Sequence, residues 1–399
     1  MMKKILIIGA AAYQVPAIIR VKELGHLVYC VDYKEGQPGF VYADGYKIID
    51  VRNKEHCLEY AKELGIDGVL TWGATLTLPT VAFISENMGV PGISKETAEL
   101  SMSKFLIKKK LAECGLNTGG EVFQLCNREE AKAHQYHLPV VVKPSDGSGS
   151  KGVSIVKNVS ELDDAIQYAF DGARNNEIYV EPFIQGTEYS VEAYVNTGKV
   201  YIYSIVKTNF KWMGDYPIYT QTTYLDLDED AENKIGVEIE KAIHALDVQW
   251  GPVNFDVIVS AEDGKPYIID VGIRNGQNLI ASHIVPLSRG VDELNNSIRI
   301  CLGQEIDANP AKKEYISSRL LIYTPGEIVD IKPYNNLIGQ KHIVDIILRK
   351  KIGDNLPHYQ TKSDICGWVL TSGSTPEDAL RYSNDAWELL KKYIIIKHV

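Results

Sequence analysis

The chain has 399 residues, of which 45% are hydrophobic and 24% are charged, and its formal net charge is −10 at pH 7. This composition is typical of a globular protein and excludes a disordered or fibrous chain. The negative charge disfavours nucleic acid and membranes as partners, because those surfaces are usually met with basic residues. We therefore expect small-molecule partners and a length divided into two or three domains.

The cysteine spacing and the N-terminus indicate the compartment. Six cysteines are spread through the chain without a C-x-x-C pair, which favours neither a zinc site nor a disulfide framework. The apolar run after Lys4 ends at Gly9 and is too short for a signal peptide or a membrane span. We expect a cytoplasmic protein.

Residues 1–95 alternate short apolar runs with amphipathic stretches. This alternation predicts strands joined by helices, and hence an N-terminal doubly wound parallel sheet of the α/β class. Asp32 closes the second run, where a dinucleotide fold would bind ribose. The segment from Gly9 to Pro16 contains no second or third glycine, so the GxGxxG fingerprint is absent and a dinucleotide cofactor is disfavoured.

In the remainder of the chain, the pattern of predicted helices and strands changes twice. Residues 96–310 begin with a helical region that a glycine stop closes at Gly115, and they continue as strands, which predicts an α+β domain. After Pro310 short strands return and a final amphipathic helix is predicted from Pro376 to Tyr393. We therefore predict a small C-terminal lobe over residues 311–399.

A loop of glycine and serine follows Lys143, between two runs of β-branched residues. Small residues and free backbone N–H groups can lie over a polyphosphate. A lysine that closes a run of valines is costly to bury without an anion, which favours a phosphate partner for Lys143. The alternative is a flexible hairpin with solvated lysines.

Two strands predicted at 253–260 and 266–274 form a hairpin around Asp263. Symmetric pairing about Asp263 places Asp256 opposite Asp270 and Asn254 opposite Gly272. Period-two alternation then gives an apolar face, which includes Tyr267 and Ile269, and a polar face. The polar face collects Asn254, Asp256, Asp270, Gly272 and Arg274.

Two carboxylates that face each other across strands repel, and a divalent cation removes that repulsion. All-oxygen ligands beside a phosphate favour Mg²⁺ over zinc. Asp256 and Asp270 are therefore the predicted metal ligands. The alternative is an exposed acidic pair near Arg274 that holds no metal.

A third segment, residues 181–190, is a weak signal by itself, but the three features in this order resemble the ATP-grasp superfamily. The resemblance runs through nearly the whole chain and implies an N-terminal domain, a two-subdomain ATP-grasp fold and a C-terminal lobe. It implies that Lys104, Lys143 and Lys207 face phosphate and that the loop from Ser145 to Gly152 is mobile over the phosphates. The remaining implied residues are Ser148, Gly149, Ser150 and Gly152 in the loop, Glu181, Phe183 and Ile184 at adenine, Glu188 at ribose, Asp256 and Asp270 at the metal, and Arg274 at the transferred phosphoryl group.

The chain departs from the family at one ligand. Where the family commonly has Glu-x-Asn-x-Arg, this chain has Asp270, Gly272 and Arg274. One amide ligand is thus missing and the first carboxylate is shorter. The predicted register puts Asn254 opposite Gly272, so Asn254 is our candidate for the lost amide.

The resemblance implies an ATP-dependent ligase that joins a carboxylate to an amine through an acyl phosphate and releases ADP and phosphate. The implied cofactors are ATP and Mg²⁺, with Mn²⁺ as a substitute, and a homodimer stays open as the assembly. Amino-acid ligases, glycinamide ribonucleotide synthetase, carboxyaminoimidazole ribonucleotide synthetase and carbamoyl-phosphate-synthase-like proteins are the branches left open. The alternative of another class is a non-catalytic ATP-binding module.

Overall fold

The computed structural model describes most of the chain, with side chains except between residues 211 and 224. The described residues are 1–146, 152–213, 216–224, 227, 229–277, 279–359 and 364–398. Three predicted phosphate-loop residues, Ser148, Gly149 and Ser150, lie outside these ranges. Within them, no helix combines the length and apolar character needed to cross a membrane.

The strands of the described ranges form four sheets. In chain order they are β1 (Lys4–Ile8), β2 (Leu27–Asp32), β3 (Gly45–Ile48), β4 (Gly68–Leu70), β5 (Phe123–Leu125), β6 (Val140–Pro144), β7 (Ser154–Val156), β8 (Ile178–Pro182), β9 (Gly186–Asn196), β10 (Lys199–Met213), β11 (Tyr216–Tyr224), β12 (Trp250–Ser260), β13 (Pro266–Gly272), β14 (Tyr315–Leu321), β15 (Gly326–Ile331), β16 (Ile343–Leu348), β17 (Asn355–Leu356), β18 (Gly367–Gly373) and β19 (Ile394–Lys397).

Helices cover the faces of these sheets. In chain order, the described α-helices are α1 (Val15–Glu23), α2 (Lys54–Leu64), α3 (Leu78–Met88), α4 (Lys95–Leu100), α5 (Lys104–Glu113), α6 (Arg128–Ala133), α7 (Leu162–Gly172), α8 (Glu229–Ala245), α9 (Val285–Arg289), α10 (Glu293–Cys301) and α11 (Pro376–Leu390).

The N-terminal sheet is parallel, with strand order β3-β2-β1-β4, as the sequence predicts. Strand β1 is apolar and buried from Ile5 to Ile8, as expected of a strand with both faces covered. Ile5 and Ile7 pack into one buried cluster, and Leu6 and Ile8 pack into another on the opposite face. The predicted doubly wound fold is confirmed.

The strands in the middle of the chain belong to two antiparallel sheets, and the larger sheet carries the predicted metal carboxylates. A small sheet has the order β5-β8-β6-β7, and an eight-stranded sheet has the order β13-β12-β9-β10-β11-β14-β18-β16. The chain passes from the small sheet to the large one through residues 183–185, which connect β8 to β9. Residues at this connection are therefore near both sheets.

The helical region before these sheets is divided. Ser94 caps α4, and the Ser103 hydroxyl accepts the Leu106 N–H at 3.2 Å to start α5. A serine N-cap favours a new helix because it satisfies a free N–H group. Lys104 is consequently the first residue of α5.

The C-terminal part extends the large sheet and adds a smaller one. Strands β14, β18 and β16 continue the eight-stranded sheet, whereas β17, β15 and β19 form a separate sheet. Helix α11 ends at Leu390, three residues before the predicted Tyr393, and Ile394 begins β19 and is buried. The divisions predicted at residues 95 and 310 stay predictions.

Candidate functional site

The hairpin of β12 and β13 carries the two carboxylates opposite each other. Asp256 pairs with Asp270 and Asn254 pairs with Gly272, so this predicted register is confirmed. Nearer the turn the pairing is shifted by one residue, because Val257 pairs with Ile268 and Ile269 forms a bulge. The bulge restores the symmetric register at the carboxylates.

The bulge also changes which side chains reach the core. Ile268 is fully buried in the hydrophobic cluster beside Val257, whereas Tyr267 and Ile269 are only partly buried. The predicted apolar face, which included Tyr267 and Ile269, is therefore wrong on this part of β13. An extra residue in one strand shifts the alternation of every residue beyond it.

A third strand, β9, contributes polar residues to the same face. Glu188, Ser190 and Glu192 pair with Ile258, Asp256 and Asn254, respectively. The register thus places the predicted ribose residue Glu188 on the same face as the predicted metal carboxylates. Ser190 and Glu192 were missed, although the alternation of polar and apolar residues from 188 to 193 is a readable signal.

Asn254 lies at the centre of a hydrogen-bond network. Its Nδ2 donates to Ser190 Oγ and to Glu192 Oε1, both at 2.8 Å. Its Oδ1 accepts from Arg274 Nη1 at 3.5 Å. Ser190 Oγ in turn donates to Asp256 Oδ1 at 3.2 Å. Ser190 therefore joins the amide to Asp256, a predicted metal ligand, and the amide joins both to the arginine.

Arg274 occupies the space that a side chain at position 272 would take. A Cβ built on Gly272 would lie 2.9 Å from Arg274 Cζ, closer than such contacts occur. Arg274 Nη1 also donates to the Asn275 carbonyl at 2.9 Å. The Arg274 guanidinium group therefore fills the space beside Gly272, the position at which the chain departs from the family pattern.

Lys104, at the start of α5, forms an ion pair with Asp270. Burial alone would raise the pKa of Asp270, but the charges of Lys104 and Lys143 outweigh it and hold that pKa below its usual range. The Asp270 carboxylate is therefore ionised at neutral pH. An ionised carboxylate is the form that binds a cation.

Lys143 and Lys108 both form ion pairs with the buried Glu181. The Lys108 Nζ lies 3.0 Å from Glu181 Oε2, and both side chains are 4% exposed. Lys143 binds the other carboxylate oxygen. Burial would raise the pKa of Glu181, but the two lysine charges outweigh it and lower that pKa.

This arrangement corrects the expectation that Lys143 needs a phosphate to offset its burial, because Glu181 supplies an anion within the chain. Lys108 was missed by sequence reasoning. Its spacing of four residues from Lys104 on one helix was the available signal, since such residues share a face. The phosphate roles of Lys104 and Lys143 and the adenine role of Glu181 stay predictions.

Phe183 and Ile184 lie in the connection between the small and large sheets. The Phe183 N–H donates to the Pro139 carbonyl at 3.0 Å. Ile184 packs against Gly119, where an added Cβ would lie 2.7 Å from Ile184 Cδ1 and where φ is +88°. The predicted adenine residues are thus fixed at the connection between the two sheets.

Two further predicted residues lie outside this cluster. Lys207 pairs with Tyr189 in β9, so alternation places it on the opposite face of the sheet from Asp256. Gly152, at the end of the predicted phosphate loop, is buried where an added Cβ would lie 2.6 Å from Pro144 Cγ. The structure does not bring either residue to the carboxylates, and their roles stay predictions.

The N-terminal sheet approaches the site through Gln277, which follows Arg274. Gln277 Nε2 donates to the Gly73 carbonyl at 2.7 Å. The Asp32 carboxylate is hydrogen bonded by other residues of the N-terminal part of the chain. Its Oδ2 accepts from the Ala10 N–H and its Oδ1 accepts from Gln37 Nε2, both at 2.9 Å. A residue just beyond the carboxyl end of β4 therefore contacts the segment that follows β13.

The residues fit a magnesium ion through the chemistry of their donors. Asp256, Asp270 and Asn254 offer only oxygen ligands on one face. The described part of the chain contains no group of three or more His, Cys, Asp or Glu residues that could hold a metal. Mg²⁺ commonly takes one or two carboxylates and completes its shell with substrate phosphates and water.

Two family models match the chain. Residues 101–276 match the ATP-grasp domain, and residues 319–394 match the L-amino acid ligase C-terminal domain 2. The first match includes Lys104, Asp256 and Arg274. The predicted resemblance to the ATP-grasp superfamily is confirmed.

Individual relatives cover parts of the chain. An uncharacterized protein of Sinorhizobium fredii is 27% identical over 270 residues, which are 65% of this chain and 54% of that protein. D-alanine–D-alanine ligase B of Xanthomonas campestris is 31% identical over 208 residues, 48% of this chain and 62% of that protein. The chain thus spans about half the length of these curated relatives.

A solved structure shares the fold along the whole chain. The L-amino acid ligase from Bacillus licheniformis superposes with a TM-score of 0.83 at 20% identity, and the match covers 99% of both chains. At this identity the likeness establishes the fold alone.

Proposed function

We propose that this chain, which carries an ATP-grasp domain over residues 101–276, is an ATP-dependent ligase that joins a carboxylate to an amine. The observation that carries the proposal is the direct facing of Asp256 and Asp270 beside two lysines and an arginine. The two carboxylates offer negative charge to a divalent cation, and the lysines and the arginine offer positive charge to phosphate oxygens. This is the charge pattern that phosphoryl transfer needs.

In this proposal ATP lies between the small and large sheets. Lys104 and Lys143 contact its phosphates, and the loop that ends at Gly152 covers them. Adenine lies at the connection of Phe183 and Ile184, close to Glu181. Glu188, in line with Ser190 and Asp256 on β9, binds the ribose hydroxyls.

Asp256, Asp270 and the Asn254 amide would hold Mg²⁺, or Mn²⁺ in its place. When bound, the ion offsets negative charge on the phosphate oxygens. Arg274 is well placed for the reacting groups, since its guanidinium lies over Gly272 on the face of the two carboxylates. A guanidinium can hold a carboxylate or a phosphoryl group through two parallel hydrogen bonds.

The reaction follows from the weakness of a carboxylate as an acyl donor. A carboxylate oxygen attacks the γ-phosphorus, the bond to the β-phosphate bridging oxygen breaks, and ADP leaves with that electron pair. The amine nitrogen then attacks the carbonyl carbon of the acyl phosphate, orthophosphate leaves, and the nitrogen loses a proton. The protein supplies position and charge but no nucleophile.

We further propose that acid and amine are both amino acids. The match of residues 319–394 to the L-amino acid ligase C-terminal domain 2 supports this over a purine-ribonucleotide synthetase. The rival of another class is a non-catalytic ATP-binding module in which Gly272 marks a decayed metal site. The ionised Asp270 and the packing of Arg274 over Gly272 favour a working site.

The test is a screen of amino-acid pairs for substrate-dependent release of ADP and orthophosphate. Asp270→Asn serves as the negative variant, and Asp263→Asn in the exposed hairpin turn serves as its matched control. We expect Asp270→Asn to lose at least about 100-fold in rate, because loss of a metal ligand costs more than loss of a residue that only orients one. AMP and pyrophosphate as products would instead mean an adenylating enzyme.

A further inference from the structure

Glu192 is a buried carboxylate to which the proposed chemistry assigns no role. Its side chain is 0% exposed, and a carboxylate is costly to bury unless it is well hydrogen bonded. Its Oε1 accepts from Asn254 Nδ2 at 2.8 Å and its Oε2 accepts from the Gly276 N–H at 3.1 Å. A Cβ on Gly276 would lie 1.7 Å from Glu192 Oε1, so the chain approaches the carboxylate closely because residue 276 is glycine.

The two ends of the Asn254 amide meet groups of opposite hydrogen-bonding character. On one side, Glu192 and the Ser190 hydroxyl provide acceptors at 2.8 Å. On the other side, the Arg274 guanidinium can only donate. The amide oxygen must therefore face Arg274, and the amide nitrogen must face β9. The partners, rather than the amide, decide the orientation.

Position 272 explains why that orientation matters. The family amide would stand at Gly272, but the Arg274 guanidinium occupies the adjoining space, with Cζ 2.9 Å from an added Cβ. Asn254 pairs directly with Gly272 across the hairpin. An amide at 254 can reach the same region from the neighbouring strand, provided that its oxygen faces outward.

We propose that Glu192 and Ser190 are positioning residues, which turn the Asn254 oxygen away from β9 and toward Arg274, so that it replaces the amide missing at Gly272 as a metal ligand. The inference rests on the proposed function, since it assumes a metal at Asp256 and Asp270. Ser190 also donates to Asp256 Oδ1, so one hydroxyl aligns the amide with a carboxylate ligand. Residues that orient metal ligands commonly change metal affinity about 10–100-fold when they are altered.

The test exchanges the hydrogen-bonding roles of residues 192 and 254, so that residue 192 donates and residue 254 accepts. Glu192→Gln leaves one N–H facing another, at Asn254 or at Gly276, so the Asn254 amide loses its fixed orientation. Adding Asn254→Asp restores a donor at 192 and an acceptor at 254, and it leaves a carboxylate oxygen facing outward. Glu238→Gln is the matched control, because Glu238 is buried and accepts a backbone N–H from Asn117 at 2.8 Å, away from these residues.

The readout is Mn²⁺ binding in the presence of a non-hydrolysable ATP analogue, followed by electron paramagnetic resonance of free Mn²⁺. We expect Glu192→Gln to bind Mn²⁺ about 10-fold or more weakly, and the double variant to recover most of that loss. Unchanged binding in Glu192→Gln, or a loss that the double variant does not recover, would overturn the inference. Absence of Mn²⁺ binding in the unmodified protein would instead overturn the proposed function.

A second variant covers the case in which Glu192→Gln does not fold, as judged by thermal unfolding. Ser190→Ala removes one acceptor from Asn254 and the donor to Asp256 while leaving the carboxylate in place. We expect Mn²⁺ to bind several-fold more weakly to this variant, in proportion to the loss of one of two contacts. Affinity equal to that of the unmodified protein would contradict the positioning role.

Discussion

Lys104 forms an ion pair with Asp270 at the edge of the large sheet. The first is a predicted phosphate ligand and the second is a predicted metal ligand, and they reach each other because β13 is the edge strand next to α5. A divalent cation that binds Asp270 therefore competes with the ammonium group of Lys104. In the proposed function, metal binding and the availability of Lys104 for phosphate would therefore be coupled through one carboxylate.

From this pair we predict opposite effects of Lys104→Met on two ligands. Mn²⁺ alone should bind more tightly, because Asp270 loses its competing cation, whereas the ATP analogue should bind about 10-fold more weakly or worse, because a phosphate contact is lost. Both affinities can be measured by titration calorimetry. Lys109→Met, at an exposed position of the same helix, should leave both unchanged, and weaker Mn²⁺ binding in Lys104→Met would contradict the coupling.

Lys108 gives a prediction on stability. Lys108→Met would leave the buried Glu181 with only Lys143 as an ion partner, and breaking a buried pair from one side typically costs about 3–5 kcal/mol of unfolding free energy. The loss of the hydrogen bond from Lys108 Nζ to the Thr118 carbonyl, 3.1 Å long, acts in the same direction. Urea unfolding measures the change. A free energy of unfolding within about 0.5 kcal/mol of the unmodified protein, the range of surface substitutions, would contradict it.

Gly272 gives a prediction in which restoring the family residue is harmful. Gly272→Asn should displace the Arg274 guanidinium, since the new Cβ would lie 2.9 Å from Cζ. We expect acyl-phosphate formation to fall about 10-fold or more, with a smaller effect on ATP binding, because in the proposed function the arginine acts on the reacting groups. Gly264→Asn, in the hairpin turn where φ is +67°, is the control. A rate above that of the unmodified protein would show that the missing amide limits the enzyme.

Glu293 gives a prediction on pH. Burial raises the pKa of this carboxyl to about 8 from a usual 4.5, so the folded protein binds more protons than the unfolded chain between those values. Stability should therefore fall as pH rises through this window. Glu293→Gln should flatten the profile, measured as melting temperature between about pH 5 and about pH 8. An equally steep profile in the variant would assign the dependence to another group.

Much of the site could be read from local sequence patterns. Symmetric pairing about the turn at Glu262–Gly264 placed Asp256 opposite Asp270, and this facing holds because the Ile269 bulge offsets the one-residue shift that begins at the turn. Period-two alternation is present in β9, where it includes Ser190 and Glu192. The strands and helices of the N-terminal sheet could be predicted in the same way, because each apolar run and each amphipathic stretch fits within a short window of sequence.

Tertiary structure alone decided which charges meet. The partner of Lys143 is Glu181, on another strand of the small sheet, and the second partner of Glu181 is Lys108 on a helix. Residues this far apart are brought together by the packing of whole elements, which no local pattern contains. The Ile269 bulge and the packing of Arg274 over Gly272 are similar, because each depends on how neighbouring strands and side chains fill the same space. The sequence by itself therefore determined which residue types gather at the candidate site, and three-dimensional packing determined how each of them is held.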